Sequence, residues 1–253
     1  DIKSSIDGGT SVKILTSGEG EQNGNITISS TAAALASLAN EESTTFTLVA
    51  AGDITINDNI TAATNPVNIV LRAQGNVSIT EDITTKGGTF TVTGANDDGN
   101  DSSALTSAAS FTSSALIDTT GGSNLDGGAI SISTTVRDGS TGDITLNGNL
   151  ITTGGTATST GRTGGGVTLT AGEGSTDGAI TTSTITTSGS AGAGVGDSGG
   201  AGGSISIDSV SEGITLSNNI TSSGGASGGG AGSIGAGGTI NIQDAVTLSA
   251  NVA

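Results

Sequence analysis

The sequence predicts an all-β parallel solenoid, and three observations carry that expectation. The first is a repeat. Residues 52–73 and 75–92 hold two copies of one pattern, and Ile54 and Val77 occupy the same place in it 23 residues apart. That spacing is the length of one coil of three short strands. The second is alternation. Ile54 and Ile56, Val67 and Ile69, Val77 and Ile79, and Phe90 and Val92 are separated by single polar residues, the period of a strand with one face inward. The third is punctuation. Asn, Asp and Gly follow each run, at Asp58 with Asn59, Gln74 with Gly75, and Asp82, where a corner needs residues that tolerate tight backbone.

Extending the pattern along the chain aligns Ile26, Ile54, Val77, Phe111, Ile144, Ile180, Ile214 and Val246 as the first inward residue of successive rungs. Third strands fall between them, with inward pairs Phe46/Leu48, Val67/Ile69, Phe90/Val92, Ile130/Ile132, Val167/Leu169, Ile205/Ile207 and Ile240/Ile242. The expected organisation is a single solenoid over 1–253. Residues 1–23 form a partial rung ending in Val12 and Ile14, 24–243 hold seven complete rungs, and 244–253 begin another. Both ends cut the repeat, so a segment of a longer solenoid or a stacking subunit is expected. Residues 31–43, with Thr31 as cap and Leu35 and Leu38 three apart, read either as a short helix or as a segment laying a Leu into the second-strand position.

The rungs differ in length because insertions enter mainly at the corner between the second and third strands. That corner is minimal at 84–88, then grows through 119–128 and 152–166 to 187–203 and 224–238. Stacked rungs place these loops side by side as a Gly-rich flange. Gly and Ser bury little apolar surface in exchange for being ordered, so the flange is expected to be looser than the coil.

Composition narrows the function classes. Among 253 residues there are 45 Gly, one Pro, three Phe and no Cys or His. A 32% hydrophobic fraction with low complexity fits disorder on composition alone, but regular alternation of β-branched residues argues for packed strands. Six cations against 23 carboxylates give a net charge of −17. Nucleic acid and anionic membrane surfaces are therefore poor partners, and no apolar stretch is long enough for insertion into a membrane. Without His or Cys there is no His-based triad and no thiolate nucleophile. Carboxylate pairs of a glycosidase are conceivable, yet the acids lie in turns and sugar-stacking aromatics are scarce, so the reading is non-enzymatic.

Three features hold candidate chemistry. Asp97, Asp98 and Asp101, in the run 96–101 around Gly99, resemble a Ca²⁺ loop because closely spaced hard oxygens near a Gly can wrap the ion; the bidentate Glu is missing. The outward positions Thr27, Thr55, Ser78, Thr112, Thr145, Thr181, Thr215 and Thr247 form a hydroxyl column, whose neighbours Asn25, Asp53, Asn76, Ser110, Asp143, Ala179, Gly213 and Ala245 vary too much for an ice-matching array. Exposed β-branched Thr stacked on Thr suits strands in any case. Asn59, Asp82, Asn149, Asn219 and Asn251 share one turn position, where stacked amides form a ladder. The sequons at Asn25, Asn59, Asn76 and Asn219 follow from repeat geometry, and a further one lies at Asn100.

The rung from Gly142 through Asp143, Ile144, Leu146, Asn149 and Leu150 to Gly155, followed by Gly164 to Gly172 around Val167 and Leu169, resembles the repeats of filamentous-haemagglutinin-like exoproteins of bacteria. The resemblance covers residues 24–253. It implies a right-handed parallel β-helix, export through the outer membrane, commonly by two-partner secretion, and a part in adhesion or biofilm. The expected protein is thus a secreted or cell-surface adhesin stalk or scaffold, with an extracellular filament or sheath subunit as the alternative and a polysaccharide-binding or polysaccharide-degrading β-helix as a minor one. Expected partners are further rungs or neighbouring copies stacked end to end, and an unidentified host or matrix glycan or protein. No resident cofactor is expected apart from the possible Ca²⁺.

Overall fold

The computed structural model describes residues 1–16, 24–29, 35–95, 107–137, 139–172, 178–210 and 212–249. The chain coils as a parallel β-solenoid whose walls are three parallel sheets of eight, eight and six strands. The first sheet stacks β1 (Val12–Leu15), β3 (Thr44–Ala50), β6 (Val67–Ala73), β9 (Phe90–Thr93), β12 (Ile130–Thr134), β15 (Val167–Ala171), β18 (Ile205–Ser209) and β21 (Ile240–Gln243). The second stacks β2 (Ile26–Ser29), β4 (Ile54–Asn57), β7 (Asn76–Ile79), β10 (Ser110–Ser113), β13 (Ile144–Leu146), β16 (Ile180–Thr182), β19 (Ile214–Leu216) and β22 (Val246–Leu248). The third is made of two-residue strands: β5 (Ile60–Thr61), β8 (Ile83–Thr84), β11 (Ile117–Asp118), β14 (Leu150–Ile151), β17 (Ile185–Thr186) and β20 (Ile220–Thr221).

Parallel pairing puts each residue over its counterpart one rung away, so register can be read column by column. Ile26, Ile54, Val77, Phe111, Ile144, Ile180, Ile214 and Val246 form one unbroken column in the second sheet, as the sequence alignment requires. The first sheet differs at one rung, that of β6. Phe46 pairs with Ile69 and Leu48 with Leu71, while Val67 lies beside Thr44. Phe90 and Val92 then pair with Ile69 and Leu71, not with Val67 and Ile69. A shift of two residues keeps every side chain on its original face, so alternation alone does not distinguish the registers.

The inward columns fill the coil with one continuous core in which Phe46, Leu48, Ile54, Phe90, Phe111, Ile144 and Leu169 are fully buried. All three Phe are inside, and Phe90 meets Phe111 edge to face with ring centroids 6.3 Å apart. A rung alone buries too little to offset the cost of ordering it. Its neighbours above and below supply the remaining contacts.

One segment resolves to the second of its two expected readings, and another departs from the expected layout. Leu38 lies in the second-strand position, bridging to Ala62, donating its N–H to the Thr61 carbonyl at 2.8 Å and accepting from Ala63 at 2.8 Å. Its fully buried side chain enters the core there, so the segment completes a rung and does not continue as a helix through 43. At the start of the chain stands a helix, α1 (Ile2–Asp7), ahead of β1. Asp1 caps it, its carboxylate accepting the Ser4 N–H at 2.8 Å, and Ile2 and Ile6 share the face that packs on the core. The helix thus adds apolar packing beside β1, whose inward Val12 and Ile14 remain partly buried.

Truncation of a central aromatic tests the shared core. Phe111→Ala removes the ring that touches Phe90 and is expected to lower unfolding free energy by about 3–5 kcal/mol in a urea titration. A loss below about 1 kcal/mol would show that the rungs are loosely packed there.

Candidate functional site

The flange is the largest feature that the core does not explain, and it is an ordered body. Each loop leaves the coil as one extended limb, turns at a tip and returns as a second. Outgoing limbs bond to outgoing limbs of the next rung: Gly121 donates to Thr153, Gly154 to Ser188, and Gly189 and Gly192 to Ser223 and Ala226, all at 2.8–2.9 Å. Returning limbs do the same, Gly161 and Gly164 donating to Ser198 and Ala201, and Gly199 and Gly202 to Ser233 and Ala236. Other donors join the two layers. Gly200 donates to Ser190 and Gly203 to Thr187 within one loop, while Ser190 donates to Arg162 and Gly225 to Gly200 across rungs.

Donors that share a direction are three residues apart. That is the period of a polyproline II chain, which cannot satisfy its own backbone and must bond outward. The flange is thus a two-layer bundle of glycine-rich threefold chains. Limbs approach so closely that a Cβ at Gly155 would lie 1.8 Å from the Gly122 carbonyl oxygen, and one at Gly200 would lie 2.0 Å from that of Arg162. Gly at every close approach is the same steric requirement that a collagen axis imposes. The expectation of a loose flange overlooked this exchange, in which missing side-chain burial is replaced by dense backbone bonding.

A buried hydroxyl closes the base of four of the five loops. Thr85, Thr119, Thr152 and Thr187 are fully buried, and each Oγ1 donates to the carbonyl of the Gly where the loop rejoins the coil: Gly88 at 2.5 Å, Gly128 at 2.6 Å, Gly165 at 2.5 Å and Gly203 at 2.6 Å. Sequence reasoning placed these Thr at the loop starts but missed their role. The signal was present: a Thr stands two residues after Ile83, Ile117, Leu150 and Ile185, and Ser222 takes that place after Ile220.

The outward columns are in register. Thr27, Thr55, Ser78, Thr112, Thr145, Thr181, Thr215 and Thr247 follow one another without a gap. Beside Thr27 and Thr55 run Ser29 and Asn57, and Thr80 donates to Asn57 Oδ1 at 2.9 Å. The varied column of Asn25, Asp53 and Asn76 is structural. Asn25 Oδ1 accepts the Asp53 N–H at 2.8 Å, Asp53 Oδ1 accepts that of Asn76 at 2.7 Å, and Asn76 Oδ1 accepts the Ser110 hydroxyl at 2.6 Å. The turn column behaves alike, with Asn59 Oδ1 accepting from Asp82 N–H at 3.1 Å and Asp82 Oδ1 from Leu116 N–H at 2.9 Å. The ladder therefore runs from side-chain oxygen to a backbone N–H or, at Asn149, to the Ser183 hydroxyl of the next rung, not from amide to amide, which is why Asp serves as well as Asn.

Asp97, Asp98 and Asp101 lie outside the described residues, as do Asn100 and Asn251. Among the described residues, no three carboxylates converge as a metal site would require. No described helix is long and apolar enough to cross a membrane. The geometry defines a class, a parallel β-solenoid carrying a glycine-rich flange. No family model matches the chain, and no curated protein or solved structure matches it either.

Two substitutions test the flange. Gly200→Val sets a branched side chain against the Arg162 carbonyl. It is expected to raise amide exchange over 187–203 and 221–238 by at least tenfold while β4 and β7 stay protected. Thr152→Val leaves the Gly165 carbonyl without its hydroxyl donor and is expected to cost about 1–3 kcal/mol, read by chemical denaturation. Uniform exchange in the first case would show that the limbs are not coupled.

Proposed function

We propose that the chain is an extracellular, non-catalytic stalk or scaffold of an adhesin, serving cell-surface attachment or biofilm. The observation that carries this reading is the unbroken register of columns over eight stacked strands, which makes the chain a stiff rod roughly 35–40 Å long at about 4.8 Å per rung. Its outer faces repeat small hydroxyl and amide groups, a well-hydrated surface suited to a spacer. The resemblance to filamentous-haemagglutinin-like repeats supports the same role, and with it a secreted or surface location. The receptor side is a host or matrix glycan or protein.

A second reading, a subunit of an extracellular filament or sheath stacked head to tail, draws on one observation. The inward residues Ile240, Val246 and Leu248 of the last strands are 43, 45 and 59% exposed and present an apolar edge to a further rung.

Electron microscopy of the purified chain, with and without EDTA, separates the two. Isolated short rods in both conditions are expected for a stalk, whereas uniform long fibres favour the filament, and their loss in EDTA brings in bridging cations. Adhesion is tested by in-frame removal of 111–245, which joins Ser110 to Val246 in register and deletes four rungs. Source cells are expected to attach at least severalfold less well. Unchanged attachment would remove the adhesin reading.

A further inference from the structure

The acceptor ladders leave part of their asparagines unused. Asn25 Oδ1 accepts the Asp53 N–H at 2.8 Å, and Asn76 Oδ1 accepts the Ser110 hydroxyl at 2.6 Å. Each amide therefore turns its oxygen toward the next rung and its nitrogen away from it. Among the described residues nothing accepts from Nδ2 of Asn25 or Asn76, and both residues are exposed. Asparagines inside the molecule differ. Asn40 Nδ2 donates to the Glu42 and Pro66 carbonyls at 2.7 and 3.2 Å, and Asn65 Nδ2 donates to those of Asn40 and Glu41 at 2.9 Å.

The sequence separates the same two groups. Thr27 stands two residues after Asn25 and Ser78 two after Asn76, whereas Glu42 and Val67 hold that place after Asn40 and Asn65. Residues two apart in extended chain share a face, and the buried Ile26 and Val77 between them point inward. Each free amide nitrogen thus lies on the same outer side as a hydroxyl. Ladder chemistry needs only an oxygen here, which Asp53 and Asp143 supply equally well. It does not account for a nitrogen left facing solvent.

We propose that Asn25 and Asn76 are acceptor sites for N-linked glycans. An asparagine with a hydroxyl two residues on is the pattern that such transfer recognises. Nδ2 bonds to the anomeric carbon of a sugar carried on a diphosphate donor. The bond from that carbon to the diphosphate oxygen breaks, the diphosphate leaves with the electron pair, and one Nδ2 proton passes to a base of the transferase. Oδ1 remains a carbonyl oxygen, so the modified residue still accepts from Asp53 or Ser110 and the rungs keep their register. Two rungs separate the sites, about 9.6 Å at about 4.8 Å per rung, which sets the glycans side by side on the outer face of the second sheet. Asn59 and Asn219 are less suited, because both are half-buried and Asn219 is already held by a polar contact. The inference rests on the extracellular location proposed above.

The test is a peptide map of the protein recovered from its source cells. Trypsin cuts after Lys13, Arg72 and Lys86, so residues 73–86 form a peptide with Asn76 as its one sequon, while 14–72 holds Asn25 and Asn59. Mass spectrometry with electron-transfer fragmentation is expected to find sugar on Asn25 and Asn76 and none on Asn59. Thr27→Val and Ser78→Ala leave both asparagines and their ladder bonds in place. Each is expected to abolish the glycan at its own site while the far-UV circular dichroism stays unchanged. Unmodified Asn25 and Asn76 would overturn the proposal, and so would sugar that persists at either one in its hydroxyl-free variant. Labelling of intact cells with a membrane-impermeant amine reagent reports location separately. Labelled chain with bare asparagines overturns the glycan sites alone, whereas chain closed to the reagent counts against the extracellular reading whatever the asparagines carry.

Discussion

Everything in this molecule depends on parallel, in-register stacking of one rung on the next. In such a stack a residue's main neighbours are those at the same place one turn earlier and one turn later, so the unit of selection is the column. A column inside the coil is mainly apolar, and its few polar members are small and buried, as Ser113 is between Ile79 and Leu146, its hydroxyl donating to the Ala115 carbonyl at 3.0 Å. Phe90 and Phe111, in different sheets, fill the same interior without disturbing the register of Ile69 or Val77. Columns at the corners follow a different rule. There the backbone N–H of each new rung needs an acceptor, and the oxygen of an Asn or Asp one rung back supplies it. Asp53, Asp82 and Asp143 therefore serve as architectural acceptors as well as surface charges, Asp143 Oδ1 receiving the Ala179 N–H at 2.9 Å.

The flange obeys the same stacking with a different backbone. Two-residue periodicity allows a strand to bond to neighbours on two sides in one plane. Threefold periodicity lets a chain bond in more directions, which is what a second layer requires. Its cost is steric, since side chains would occupy the directions now used by neighbouring carbonyls. The returning limb at 199–203 shows the solution. Gly199 and Gly202 face the other layer, Gly200 and Gly203 face the limb below, and Ala201 fills the remaining direction. Where the chain must turn at the tip, Gly196 takes φ of 93°. The buried Thr85, Thr119, Thr152 and Thr187 join the two regimes, because each hydroxyl bonds the carbonyl of the Gly where its loop rejoins the coil.

How much of this could be read from the sequence depends on what each signal distinguishes. Alternation at Ile54, Ile56, Val77 and Ile79 specifies both strand and face, so the rung count and the second-sheet columns were legible. It does not distinguish a shift of two, and so Val67 was placed over the wrong partner. The flange was legible as a place but not as a structure, because Gly content is equally compatible with a loose loop and with close-packed chains. Only the three-residue spacing of its bonds separates them. The bonding role of Thr152 and Thr187 was hidden for a related reason: a Thr beside a Gly-rich run reads as polar and exposed, while stacking places it inside. The helix at Ile2–Asp7 left real signals in Asp1, in Ile2 and Ile6 four residues apart and in Gly8, but the strong β repeat that follows outweighed six residues.

Charge and flange are arranged to different ends. Of the 23 carboxylates, the insertions at 119–128, 152–166, 187–203 and 221–238 hold only Asp126 and Asp197, against the single cation Arg162. The flange is thus nearly neutral on a body of net charge −17. Close approach of limbs explains the neutrality inside the bundle, since at positions such as Gly155, Gly199 and Gly200 a side chain would strike a neighbouring carbonyl. It also makes the flange the part of the surface least able to repel another copy. Carboxylates elsewhere supply that repulsion over the whole particle, keeping rods apart in dilute salt. End-on contact is a different matter, because it buries apolar columns in exchange for bringing the charges together, and screening weakens only the second effect. Lateral association is therefore governed by charge and axial association by what covers the edges.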